Sequence, residues 1–370
     1  MISASLLGAL AGSGALPFPR EAWEAAIRAG GKGIEGSLRA FASAYAAPAR
    51  PDPEAAPHET PLDAPLDGSD LAPAPPGLVP GAVRASGPAP LLAAWEALAA
   101  RARAWPGPVA EMALPGLRKV VDFQDLRYGE EYLGRLETML ALDDEAHGWL
   151  LAREAAKHLA NAMAYDDVIR VADLKTRAGR FRRIEGEMGA PTAPGEGGRL
   201  LHLTEFMHPR PEEVVGMLPA SLGARVEASP RLMGLLARVF SRGKRLRTDA
   251  LPSFLALHLL GGLKAWRRRT LRHAREVAHR EAWLALALDQ LPDHALAVEV
   301  LRCRRLVKGY SDTHARGLSK FDRVLGALPV LQGRPDAADW LRRLREAALA
   351  DEEGRALDGA LATVRSFAKA

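Results

Sequence analysis

Twelve of the chain's 27 prolines fall between residues 48 and 90, and no regular helix or paired strand can be carried through them. Each proline removes a backbone donor and fixes φ. The same stretch places six acids between 51 and 70 (Asp52, Glu54, Glu59, Asp63, Asp67 and Asp70) with no Lys or Arg among them. Such a segment cannot bury enough apolar surface to offset its ordering entropy, so it is expected to be extended and disordered. It divides the chain into a short N-terminal piece (1–47), a Pro/acid-rich linker (48–90) and a body (91–370).

On both sides of the linker the apolar period is helical, and the fold class expected is mainly α. In the first piece Glu21, Trp23, Ala26 and Ile27 share one helical face, and Ile34, Leu38, Phe41 and Tyr45 make a second stripe at spacings of four, three and four. In the body Leu91, Leu92, Trp95 and Leu98 open a helix, and Tyr132, Leu133, Leu136 and Leu140 mark another. Leu150 to Ile169 reads as one long helix, and Phe254 to Leu291 as helical throughout with a break at Gly261-Gly262. β-branched alternation is confined to Lys119-Val120-Val121-Asp122-Phe123, where one small strand pairing is expected.

The 370 residues are enough for a sizeable core. A single cysteine, Cys303, rules out an intrachain disulfide, an iron–sulfur cluster or a cysteine-based zinc site. The most apolar stretch, Phe254 to Leu263, is about half the ~20 residues of a spanning helix. The apolar start of the chain reads as a buried helix rather than a signal sequence, because its first positive charge, Arg20, follows the apolar run. A cytoplasmic protein is expected.

Several motifs have competing readings. Gly31-Lys32-Gly33-Ile34-Glu35-Gly36 has the letters of a dinucleotide-binding turn, but a helix precedes it where that turn needs a strand, so it reads as a helix stop. His202 and His208, like His273 and His279, are six apart and do not share a helical face; no metal centre is expected from such spacing. Tyr165, Asp166, Asp167 and Asp173 are acidic enough to interest a divalent cation, but Asp167 points away from Asp166 and Asp173 on a helix, so they read as a solvated helix face. Residues 231–280 hold thirteen Lys/Arg against two acids, Asp249 and Glu276. Within them Arg268, Arg272 and Arg275 are expected on one helical face, as a stripe for phosphates or an acidic protein, or as a solvated or internally paired surface. Without aromatic interleaving or a helix-turn-helix, nucleic acid is not the expected partner. The polar run Lys308 to His314 offers Tyr310, Asp312 and His314, either as a loop site or as a buried network between helices, with Ser311 or Asp312 as a helix cap.

Two regions resemble parts of one family. Residues 1–47 (LLGALAGSGALP, then REAWEAAIRAGGKGIEGSLRAFASAY) resemble the end of the gamma-type domain of 2-oxoacid:acceptor oxidoreductases. The body resembles the C-terminal helical domain of indolepyruvate ferredoxin oxidoreductase beta-subunit proteins, through LPGLRKVVDFQDLRYGEEYLGRL (114–136), AAKHLANAMAYDDVIRVADLKTRAGRF (155–181), RRRTLRHAREVAHREAWLALA (267–287) and RCRRLVKGYSDTHARGLSKFDRVL (302–325). Met1 falls inside the last third of the gamma-type domain, so a shortened form or a late start is expected, and Ser37 stands where that family has Asn. Stripped of its α/β body, the first piece is expected to expose Leu6, Leu7, Trp23, Ile27 and Phe41. The resemblance implies an accessory subunit of an enzyme that oxidatively decarboxylates arylpyruvates. It places the thiamine diphosphate and the iron–sulfur clusters on a partner subunit, with ferredoxin as acceptor and no cofactor in this chain. The alternative is a stand-alone protein using the basic stripe for an anionic ligand or nucleic acid.

Overall fold

The computed structural model describes residues 2–12, 19–29, 34–46, 85, 87–187, 203–207, 209–240, 244–307, 311–350 and 353–367. They belong to two compact units, Met1–Pro73 and Ala74–Ala370. The fold is mainly α, and no described helix is long and apolar enough to cross a membrane.

The first unit holds α1 (Ile2–Gly12), α2 (Arg20–Ala29) and α3 (Ile34–Tyr45). Gly8 and Gly12 lie on one face of α1, and both press on the α3 backbone. A Cβ on Gly8 would collide with the Phe41 carbonyl, and one on Gly12 would come 2.7 Å from that of Tyr45. This close approach seats Phe41, which is fully buried and not exposed as expected. Leu6 is exposed; Leu7, Trp23 and Ile27 are half-buried. Gly31 to Gly33 lie outside the described residues, and Ile34 to Gly36 open α3.

The second unit opens with α4 (Ala89–Arg103), α5 (Gly107–Phe123), α6 (Leu126–Leu140) and α7 (Leu150–Met163). Val109, Ala113, Gly116, Leu117, Val120 and Phe123 recur at helical spacing and bury one face of α5 against α7. Lys119 to Phe123 is therefore the end of a helix and not a strand, because the helical burial of Val120 and Phe123 outweighs the weak β preference of two valines. The Tyr132 hydroxyl crosses Gly116 to donate to the Ala156 carbonyl at 2.8 Å, tying α6 to α7. The expected long helix from Leu150 stops at Ala164. Asp167 restarts the chain as α8 (Val168–Thr176) by accepting the Arg170 amide at 2.6 Å, followed by α9 (Ala178–Glu187).

The small sheet lies elsewhere than expected. β1 (Thr204–Met207) pairs antiparallel with β2 (Lys244–Arg247), Thr204 facing Arg247 and Met207 facing Lys244. Between them in sequence come α10 (Pro211–Gly216), α11 (Ala220–Glu227) and α12 (Pro230–Phe240). Then α13 (Leu251–Gly262) runs into a 3-10 turn (Leu263–Arg269), and Thr270 caps α14 (Leu271–Leu288) by accepting the His273 amide. The expected break after Gly261-Gly262 is this turn. The rest comprises α15 (His294–Arg302), a second 3-10 turn (Cys303–Leu306), α16 (Ser311–Leu325), α17 (Leu328–Leu331), α18 (Ala337–Ala350) and α19 (Arg355–Phe367). The buried faces of these helices join those of α5, α6 and α7 in one core, with the Trp283 indole donating to the Val300 carbonyl at 2.9 Å.

Candidate functional site

Three of the four segments quoted above, 114–136, 155–181 and 267–287, meet around Arg267, which is wholly buried. Its Nε donates to Asp167 Oδ2 at 2.8 Å, and one Nη donates to the Phe123 carbonyl at 2.5 Å and to Gln124 Oε1 at 3.2 Å. The guanidinium lies 4.1 Å over the Phe123 ring. Lys264 donates to the Asp122 carbonyl, while the Asp122 carboxylate receives Arg170 at 2.7 Å and Arg177 at 3.0 Å. Burial alone would raise the Asp122 carboxyl, but these two arginines outweigh it and hold it below the usual carboxylate range. Tyr165 and His273 pair at 3.1 Å, and Arg280 donates to the Tyr128 hydroxyl, which itself donates to the Met163 carbonyl. Burial, reinforced by Arg268 and Arg280, pushes His273 down to about 4, so its ring is neutral. Asp167 and Asp173 are not a solvated face: they are the carboxylates of this network.

The expected arginine stripe is divided. Arg268 belongs to the 3-10 turn, and only Arg272 and Arg275 sit on α14. Each has an acid of its own chain: Arg268 meets Glu131, Arg272 meets Glu276 at 2.7 Å, and Arg275 meets Glu227. Arg245 lies 5.1 Å over the Phe206 ring, and Arg247 pairs with Asp249 at 2.6 Å. The local charge excess is spent largely inside the fold. Tyr310 lies outside the described residues, and so do the side chains of Asp312 and His314 in the first turn of α16. Next to them in sequence, Cys303 is fully buried, and burial drives its thiol far above the ordinary range, which disfavours the thiolate.

Two helices present bare apolar rows. On α13 Leu257 and Gly261 face α8, with Gly261 so close that a Cβ would stand 2.9 Å from Asp173 Cα. The opposite side carries Leu251, Leu255 and Leu259, continued by Leu263, at a constant spacing of four and 44–74% exposed. On α12 Leu232, Leu235 and Val239 are exposed at spacings of three and four. The sequence marks Phe254 to Leu263 as the most apolar stretch but not which side is covered, because both sides of α13 are apolar.

A third feature was hidden by reading histidines through local spacing. Asp143, His147 and His294 come together beside a surface cleft, their donor atoms within 4.8 Å of one another. Asp143 Oδ2 accepts the Ala152 amide at 2.8 Å and so caps α7 from a distance, while Oδ1 meets His294 Nε2 at 3.1 Å. His147 rests its Nδ1 on Asp144 Oδ1 at 2.8 Å and stacks on the His294 ring at 4.0 Å. The turn that presents it passes through the left-handed region at Gly148 and at Trp149 (φ 57°), a conformation that costs a tryptophan about 1–3 kcal/mol. The signal in sequence was a pair of Asp/His couples, Asp143/His147 and Asp293/His294, each just ahead of a helix.

No curated protein and no solved structure matches the chain. One family model does, across residues 109–327. This span runs from the start of α5 to the end of α16 and takes in the Arg267 network, the α12 and α13 rows and the Asp143–His147–His294 cluster. With more than half of its length matched, the chain belongs to the family of unknown function DUF6537.

Proposed function

We propose that the chain is an accessory subunit of an indolepyruvate-type 2-oxoacid:ferredoxin oxidoreductase, cytoplasmic and without catalysis of its own. The decarboxylation of arylpyruvates would take place on a partner that carries thiamine diphosphate and iron–sulfur clusters, with ferredoxin as acceptor. The chemistry of this reading rests on the resemblance of residues 1–47 and of the four segments between 114 and 325. The observation that carries the subunit role is the leucine row of α13. Four large apolar side chains at one helical spacing, held outward by Gly261 against α8, are a costly surface to leave in water and mark a contact with another protein. The sealed thiol of Cys303 is consistent with clusters housed elsewhere.

The apolar rows, and not the arginines, are the docking surface in this reading, since Arg268, Arg272 and Arg275 are engaged within the chain. Co-expression with the thiamine- and cluster-bearing subunit tests it. The two chains should co-elute on size exclusion, and Leu255→Asp with Leu259→Asp should separate them while the melting temperature of the isolated chain holds or rises. Clean separation of the wild-type chains at low salt would overturn the assignment.

A further inference from the structure

We propose that Asp143, His147 and His294 form a binding site for a divalent transition-metal ion of the zinc type. Two imidazoles and one carboxylate are a donor set suited to borderline metals, and three protein ligands leave coordination positions open toward the cleft.

Each ligand is prepared differently. Asp143 is the fixed one: its side chain has no solvent exposure, the Ala152 amide holds Oδ2, and Oδ1 takes the Asp144 amide at 3.0 Å while facing His294. His294 is anchored in the first turn of α15 with Nε2 on that same Oδ1. The proton shared between Nε2 and Oδ1 occupies the place of the ion; when the ion enters, the ring takes its other tautomer, with the proton on Nδ1 and the Nε2 lone pair on the metal. His147 is the adjustable ligand, half-exposed on the turn before α7. Its Nδ1–H is taken up by Asp144, which leaves the Nε2 lone pair for the metal, the outer-shell arrangement that fixes a ligating histidine's tautomer.

Geometry and charge agree with this order. Ligands about 2.1 Å from a tetrahedral ion stand about 3.4 Å apart. From donors within 4.8 Å, the set closes when His147 tilts out of its stack with His294. The cleft is also acidic. Asp144, Asp289 and Asp293 line it beside the buried Asp143, whereas the lining Arg334 is held by Asp336 at 2.9 Å. The helix ends that would repel a cation are answered by carboxylates, Asp143 on the Ala152 amide and Asp293 on the Leu296 amide. The site depends neither on the docking surface nor on the oxidoreductase reading.

The test is calorimetric titration of Zn2+ into the full-length chain, free of any affinity tag and treated with chelator. One equivalent should bind tightly. His147→Gln and His294→Gln should each weaken binding by at least about 100-fold, and Asp144→Asn by about 10-fold, as for the loss of an outer-shell partner. Co2+ should develop the visible d–d bands of low-coordinate nitrogen and oxygen ligation in the wild type and not in His147→Gln. The exposure of His147 keeps that variant folded, which its unchanged metal-free melting temperature will verify. Zn2+ binding of equal strength in the wild type and in the His147→Gln/His294→Gln double variant, or no binding to either, overturns the proposal.

Discussion

Arg267 and Asp167 stand 100 residues apart in the chain and meet at 2.8 Å, neither side chain more than 8% exposed. The carboxylate has two tasks at once, since its other oxygen starts α8 by accepting the Arg170 amide. A helix start and the anchoring of the Leu263–Arg269 turn therefore depend on one side chain.

Asp167→Ala should be among the most damaging single changes in the second unit. It leaves a buried guanidinium without its counter-charge and removes a helix cap, and loss of one partner of a buried pair costs about 3–5 kcal/mol. Asp167→Asn keeps an oxygen for the cap and should lose less. Urea unfolding of the two variants gives the comparison; equal losses would mean that the charge alone matters and the cap contributes nothing.

Acid should weaken the fold in two stages. His273 is neutral when folded, with its pKa at about 4 against 6.5 for a free imidazole, so its contribution is whole above pH 6.5 and is lost as the pH falls toward 4. Burial alone would raise the Glu154 carboxyl, but His158 and Arg302 outweigh it and hold the group at about 2; its contribution is whole above 4.5 and is lost toward pH 2. Both groups make stability rise with pH. Unfolding free energy followed across these windows should lose its upper step in His273→Gln and its lower step in Glu154→Gln.

Two glycine replacements should move stability in opposite directions. Gly116→Ala places a Cβ on the Tyr132 hydroxyl and 2.8 Å from its ring carbon, inside a fully buried contact, and overpacking of this kind costs about 1–3 kcal/mol. Gly134→Ala meets nothing within 4 Å and should gain up to ~1 kcal/mol from helix propensity. Thermal melts of the pair settle the sign.

Charge reversal along the former stripe should be graded by burial. Arg275→Glu, 53% exposed, should cost under about 1 kcal/mol, as surface pairs do. Arg272→Glu puts a second carboxylate beside the buried Glu276 and should cost more. A free anion-binding face would give equal and negligible losses for both, measured as shifts of the urea midpoint.

Much of the helical architecture was legible because burial in helices writes itself into spacing: Tyr132, Leu133 and Leu136 face the core as their periodicity requires. The interruption at Ala164 to Asp167 was not: Asp167 caps α8 locally, but its second task, pairing with Arg267 100 residues away, is carried by no local pattern. The same reason hid the fate of the arginines: sequence shows thirteen cations close together but not Glu131 and Glu227 arriving from other helices to meet two of them. In the metal cluster, His147 and His294 are joined by folding and by nothing in their spacing. The exposure of the α13 leucines was not legible because hydrophobicity without amphipathicity does not tell which side of a helix is covered.

Cys303 gives the chain a clock. It is the sole cysteine of the 370 residues and is fully buried, in the same core cluster as Leu301 and Leu306. A thiol-reactive dye can reach it only when that core opens, so the labelling rate of the unmodified protein reports the opening rate at high dye concentration and the open population at low. Cysteines introduced on α12 or α13 would label at once and could be followed separately against this silent background, with no native residue to remove first.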